Sequence, residues 1–340
     1  MQQYIIRRIL LNFLVLFLVA TMVFAALRID SDTVVTQRAG FCFTGGTDPA
    51  LIERCKTNAK AELGLLDSIP EQYGSFLWDL SPVTYEFPFL KTPDLGSSTT
   101  TRNPIIDEIG ERALPSIELG ILQILIALIV ALPIGVISAV KQDGPVDYFL
   151  RFFSIALLGI PVFVVAVIII MLTSRYADGT FLADWFGPHR EYVELWEDPV
   201  QHFKILFAPA LIAGLATGAI IMRFLRSQML EVLRQDYVRT AWAKGLRERV
   251  VIIRHALKNA LIPVLTIIGI LLGNIVSGNV VLEVIYRIPG LGFYIVASIT
   301  QNPNFPAVQG VVIVVAAVLV FVNLFIDVLY GWLDPRIRYS

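Results

Sequence analysis

The sequence predicts an all-α polytopic membrane protein with six transmembrane helices and a small external cap after the first of them. Three observations carry that expectation. The 340 residues are 56% hydrophobic and 16% charged, whereas soluble domains are nearer a quarter charged. Mean hydropathy is +0.70. Six apolar runs approach the ~20 residues that cross a bilayer as helix: Ile9–Leu27, Ser116–Val140, Phe152–Thr173, Ile205–Phe224, Leu261–Val281 and Val308–Leu329. The net charge of −1 gives no global basic field, so no nucleic acid is expected as a partner. His189, His202 and His255 are scattered and form no metal-ligand cluster, and two cysteines are too few for a disulfide scaffold or a zinc site.

Arg7 and Arg8 precede the first run, and Ala25 and Ala26 close it. Those flanks suit a secretory signal peptide as well as a retained helix, but Ile9–Leu27 exceeds the ~7–15 apolar residues of a signal core. A retained first helix is the expectation. The stretch from Asp30 to Arg112 is too long for a simple connection and is read as the cap. Within it, EQYGSFLWDL sets Tyr73, Phe76, Leu77 and Leu80 at helical spacing. Such a helix rests its apolar face on the protein or on the lipid interface, core packing being the plainer of the two. Cys42 and Cys55 fall on the external, oxidising side, where a structural disulfide closing a loop of about 14 residues would contribute about 3 kcal/mol.

Orientation follows from lysine and arginine in short loops. Arg7 and Arg8, then Lys141 and Arg151, then Arg226, Arg234, Arg239, Lys244, Arg247, Arg249, Arg254 and Lys258, and finally Arg336 and Arg338 share one side of a six-span chain. Both termini are therefore expected in the cytoplasm. The loop Tyr176–Val200 is acidic by comparison. The expected organisation is 1–28 for the N-terminal end and first helix, 29–112 for the cap, and 113–340 for a core of five transmembrane helices whose cytoplasmic loop covers 226–260.

Acidic groups associated with the spans are few: Glu118, Glu283 and Asp327, each near a helix end. No midplane acid–base pair stands ready to carry protons or ions, which weighs against a secondary carrier. Gly269, Gly273 and Ser277 in the fifth span, and Gly214 and Gly218 in the fourth, make small-residue faces. Helix packing is their plainer role. A translocation path bordered by the fifth-span face with Ser277, and by Asn274 and Asn279 beside it, is the functional one. Between the last two spans, YRIPGLGFYIVASITQNPNFP breaks regular helix at Pro289 and Gly290, with Gly292 free to take unusual angles. A re-entrant, gate-like hairpin at the outer mouth and an ordinary turn with an interfacial helix fit this stretch equally.

Catalytic chemistry is missing: the sequence contains no G-x-x-x-x-G-K-[ST], H-E-x-x-H or G-x-S-x-G. No catalytic residue, metal or cofactor is assigned, and the chain is not expected to be an enzyme. The cytoplasmic loop is the informative feature. Met229, Leu233, Tyr237 and Ala241 share one helical stripe, with Leu230, Val238 and Trp242 beside it, and the helix is expected to end near Gly245 in a left-handed cap. Beyond it, Val250, Ile253, Leu257 and Leu261 make a second apolar stripe opposite Arg247, Arg254 and Lys258. Basic charge alone satisfies topology and anionic lipid. An apolar stripe with a glycine stop calls in addition for a cytoplasmic partner.

DYVRTAWAKGL, RHALKNALIPVLT, PGLG and LYGWLDPRIRY, together with YIIRRIL, LGLLDSIPEQY and ERALPSIELG, resemble the first-permease branch of the dipeptide/oligopeptide ABC importer permeases. The resemblance implies the type I ABC importer permease fold in a bacterial plasma (inner) membrane. It further implies a homologous second permease, two ATPase subunits that bind ATP and magnesium, and an external substrate-binding protein. In that family the loop carries the EAA motif, whose coupling helix sits in a cleft of the ATPase. By the resemblance, Arg239, Thr240 and Ala241 take the EAA positions and Gly245 the motif's glycine, while Tyr237, Lys244 and Arg247 flank them; Arg239 departs from the usual glutamate. Gly40–Cys55, GSSTTTR and Phe181–Pro199 look like additions to the external loops. Peptides are the expected cargo; nickel chelates, glutathione or certain sugars are the alternatives within the class. An ATP-independent channel or carrier is the alternative outside it.

Overall fold

The computed structural model describes all residues except 1, 30, 31, 33, 34, 37, 38, 40–48, 63, 64, 83–90, 190, 276–278, 302, 303 and 334–340. The described regular structure is helical: α1 (Gln2–Ile29), α2 (Pro49–Glu62), α3 (Ile69–Leu80), α4 (Ile105–Val140), α5 (Pro145–Gly159), α6 (Val162–Tyr176), α7 (Phe181–Phe186), α8 (Pro199–Leu233), α9 (Asp236–Ala243), a helical turn at Glu248–Val250 that continues as a π-helix over Val251–Leu257, α10 (Lys258–Ile275), α11 (Val280–Tyr286), α12 (Leu291–Thr300) and α13 (Phe305–Leu333).

Among the described residues, five stretches are long and apolar enough to cross a bilayer as single helices: Arg7–Ala26, Ile105–Val140, Pro199–Leu233, Glu248–Gly273 and Phe305–Ile326. The third expected span differs. Instead of one helix over Phe152–Thr173, α5 and α6 meet at a bend of 93°. The cause is local. Pro161 disfavours helical angles at the residue before it, and Ile160 is extended, at φ −98° and ψ 120°. The fifth expected span, Leu261–Val281, is also interrupted: Asn279, at φ −90° and ψ 66°, is non-helical and opens α11. Counting the bent pair once gives six crossings. The α11–α12 pair meets the same test as a broken span or a re-entrant loop, and α11 alone is only 7 residues long.

The chain divides into two compact units, the first built from residues 1–114 and 294–324, the second from 115–293 and 325–336. In the first, α3 lies against α1. The Tyr73 ring sits edge-on to Phe17 at 6.5 Å and to Phe24 at 5.1 Å. Its hydroxyl shares a 2.6 Å hydrogen bond with Thr21 Oγ1, and Arg28 Nε donates to Gln72 Oε1 at 2.7 Å. The apolar face of EQYGSFLWDL is thus core for the first span. Glu71 starts α3 by accepting from the Ser68 amide at 3.1 Å and hydroxyl at 2.7 Å, one half of a capping box. Of the expected Cys42–Cys55 disulfide, Cys42 lies outside the described residues. Cys55 is buried with Val35, Ala39 and Ala59.

The threonine-rich stretch is built rather than loose. Asn304 Oδ1 accepts from the Thr99 amide and hydroxyl, both at 3.1 Å, and Asn304 Nδ2 donates to Ser98 Oγ at 2.7 Å. Thr101 and Tyr294 both donate to the Glu108 carboxylate. Arg112 stacks over the Tyr294 ring at 4.3 Å.

The second unit is organised around α8. Toward its C-terminal half, Ile221, Met222, Leu225 and Met229 pack with Ala127 and Ala131 of α4 and with Ala256, Ala260 and Val264. Toward its N-terminal half, Leu206, Ala210 and Ala213 pack with Leu119, Ala166, Leu282 and Tyr286. The glycine face of α8 is a packing face: a Cβ at Gly214 would come within 2.9 Å of Gln123 O, and one at Gly218 within 3.2 Å of Ala127 O. Lipid offers apolar side chains no contrast with the protein interior, so close backbone approach of this kind supplies the contact. The acidic loop is tied to α4 and α8: Tyr192 donates to Glu118 at 3.1 Å, His202 Nε2 lies 3.4 Å from Glu118, and Val193 O is 2.9 Å from His202 Nδ1.

Candidate functional site

The loop that joins α8 to α10 begins where α8 stops. The expected single amphipathic helix from Met229 to Gly245 is in fact two. α8 ends at Leu233, Arg234 caps it, Gln235 is extended at φ −71° and ψ 147°, and α9 starts at Asp236. The break re-sorts the stripe: Met229 and Leu233 stay with α8, and α9 turns Val238 and Ala241 inward onto Val232, Leu233 and Val251. Tyr237 and Trp242 remain 45% exposed and Leu246 38%, and Arg239, Thr240, Lys244 and Arg247 are exposed beside them. α9 therefore presents aromatic and basic side chains outward while its small apolar face holds it to the loop.

Gly245 closes α9 as expected. Its φ is +70°. The Leu246 amide donates to Ala241 O at 3.4 Å and the Gly245 amide to Trp242 O at 2.9 Å, the paired bonds of a Schellman cap. A Cβ at 245 would meet nothing within 4 Å, so glycine is required there by backbone angle and not by space.

After the cap, the expected stripe Val250, Ile253, Leu257 and Leu261 does not form. Val250 and Ile253 are exposed, at 36% and 49%, and the buried line is Val251, Ala256, Ala260, Val264 and Ile268. The π-helix explains the change: its i→i+5 bonding puts Val251 and Ala256 on one side across a five-residue step. From Ala256 onward the four-residue step of an α-helix resumes.

The hairpin of Pro289, Gly290 and Gly292 is organised by Glu283, which is fully buried. Glu283 Oε1 accepts from Ser116 Oγ at 2.8 Å and Oε2 from the Phe293 amide at 3.0 Å, and Ser116 Oγ accepts from the Leu291 amide at 2.8 Å. The carboxylate and hydroxyl thus satisfy amides at the start of α12 that have no helical partner. Arg287 ends α11 in the left-handed region at φ 56°. A Cβ on Gly290 would lie 2.4 Å from both Glu283 Oε2 and Ser116 Oγ, and one on Gly292 2.5 Å from Val280 Cα. Both glycines are there because the knot leaves no room. For the candidate path, Asn274 lies in the last turn of α10 with its side chain undescribed, and Ser277 is outside the described residues. The neighbouring Asn279 Nδ2 donates to Gln123 Oε1 at 2.5 Å, and Gln123 Nε2 donates to Thr217 at 2.8 Å.

Residues 131–339 match the binding-protein-dependent transport system inner membrane component model. The chain belongs to that family. The dipeptide transport system permease protein DppB of Alkalihalophilus pseudofirmus is 37% identical over 300 residues, covering 82% of this chain and 84% of its own. DppB of Escherichia coli K12 is 35% identical over the same shares. A probable peptide ABC transporter permease protein of Sinorhizobium fredii is 31% identical over 336 residues, 99% of each chain. The S. fredii match spans nearly the whole chain, and so includes residues 29–112 and the loop before α8.

As a permease of a binding-protein-dependent system, the chain is a multi-pass membrane component. Its structure adds residues that the sequence did not single out. Neither periodicity nor a motif marks Ser116 or Asp147, and by sequence Glu283 is only a helix-end group. Asp147 is fully buried and accepts from Arg226 Nε at 2.8 Å and Nη2 at 2.6 Å. The available signals were an acid in the first turn after Gly144–Pro145 and Arg226 within α8, whose other charged residues are Lys204, Arg223 and Glu231.

Proposed function

We propose that this chain forms half of the translocation pore of an ATP-driven importer. A homologous second permease, two ATPase subunits binding ATP and magnesium, and an external substrate-binding protein would complete it. The proposed cargo is di- or oligopeptides; the named cargo of the relatives supports that choice. Both termini lie in the cytoplasm, on the side of the basic loops. Tyr237, Arg239, Thr240, Ala241, Lys244, Gly245 and Arg247 form the element that docks in the ATPase. The observation that carries this role is the Schellman-capped α9, with aromatic and basic side chains facing outward from a fixed base. Pro289, Gly290 and Gly292 shape an outer gate, and Cys42 and Cys55 form a disulfide that non-reducing peptide mapping would detect.

ATP closes the ATPases in this mechanism, α9 follows the cleft that holds it, and the spans rock to alternate access. Coupling of this kind needs an element that both sites bias. The test is uptake of a radiolabelled dipeptide into proteoliposomes. The full assembly should accumulate it only with ATP and binding protein, and this chain alone should not. Accumulation by the chain alone without ATP would replace the importer with a channel or carrier.

A further inference from the structure

Two buried carboxylates anchor α4, one to each of its serines: Ser116 donates to Glu283 and Ser138 to Asp147. The serines stand about 33 Å apart along the helix, close to the thickness of a bilayer core. The Asp147 end gathers more of the chain. Besides Arg226, its carboxylate accepts from Ser138 Oγ at 2.5 Å and from the Asp143 amide at 3.0 Å, and Arg151 approaches to 4.0 Å. The donors belong to α4, the α4–α5 link and α8, so one carboxylate fastens three helix ends. Arg226 lies about two turns before the end of α8. From there Val232 and Leu233 pack directly on Val238 and Ala241 of α9.

We propose that Asp147 is a positioning residue for transport: it joins the ends of α4, α5 and α8 into one block, so that displacement of α9 moves the spans together. This rests on the importer reading above. A buried carboxylate stripped of its guanidinium is strongly penalised, so parting α8 from α5 at this point is costly. That property suits a lever. A role in folding alone would instead lower uptake and ATP hydrolysis together, in step with the amount of assembled complex.

The experiment uses the full assembly in proteoliposomes and reads dipeptide uptake per ATP hydrolysed. In Asp147→Asn, uptake per ATP should fall about tenfold, with hydrolysis per assembled complex largely retained. Arg226→Lys keeps the charge but loses the two-toothed grip and should fall between. If Asp147→Asn does not assemble, Arg226→Lys is judged by the same criterion. Ser154 Oγ and Met222 Sδ touch at 3.1 Å, one on α5 and one on α8. Cysteines at these two positions, bridged by a short bifunctional thiol reagent, should restore coupling to Asp147→Asn. The parent with only its native cysteines is the control for the reagent. Unchanged uptake per ATP in the assembled variant, or a bridge that restores nothing, would overturn the proposal. Failure of the importer reading shows separately, as no ATP-driven uptake by the unaltered assembly. Hydrogen exchange of amides 233–245 then decides: about tenfold faster exchange in Asp147→Asn sustains the clamp, and unchanged exchange overturns it.

Discussion

Gly245 holds its position through one backbone angle. At φ +70° with open space around the Cα, alanine should cost about 1 kcal/mol and a β-branched residue more, through backbone strain and not collision. Asparagine, which tolerates the left-handed region, should be the mildest replacement. Gly245→Val should therefore reduce co-purification of the ATPase and dipeptide uptake well beyond Gly245→Asn, at equal membrane abundance. Gly290 presents the opposite case, because its Cβ would strike Glu283 and Ser116. Gly290→Ala should cost about 1–3 kcal/mol by overpacking, and Glu283→Ala a similar amount by stranding the Phe293 amide and the Ser116 hydroxyl. Thermal aggregation in detergent would register both. The glycine of the cap was legible because helix, cap and charge lie together in sequence. The partners of Glu283 and Asp147 were not, because Ser116 is 167 positions from one and Arg226 is 79 from the other.

At the scale of elements, α9 shows how far periodicity reaches. Helical spacing marked an amphipathic segment, but it ran the stripe through the break at Arg234 and Gln235, because no proline or glycine signals that break. Spacing also failed across Val251–Leu257, where a π-helix replaces the α-helical step it assumes. Pro161 was visible, yet proline is tolerated within membrane helices, so the bend between α5 and α6 did not follow from its presence. Two predictions belong here. Replacing Tyr237 and Trp242 together by alanine should weaken ATPase association with little change in the stability of this chain, since both side chains are exposed; pull-down and thermal aggregation would separate the effects. Val238→Asp should do the reverse and disorganise the loop itself, because Val238 is fully buried against Leu233 and Val251. Faster proteolysis of the loop would report it.

Taken as a whole, the molecule is an assembly part. Composition alone placed it in the membrane, and the count of crossings agrees with six once the bent pair is taken as one. Its orientation is open to direct test: Lys244→Cys should label with an impermeant maleimide only from the cytoplasmic side, and Glu191→Cys only from the outside. In the proposed mechanism, α9 and its cap transmit ATP hydrolysis to a peptide pore. ATP-driven dipeptide uptake by the full reconstituted assembly, compared between the parent and Gly245→Val at matched abundance, tests it most directly. ATP-dependent uptake is expected in the parent and its loss in the variant; undiminished uptake in a Gly245→Val assembly that still binds its ATPase would contradict a coupling role for α9.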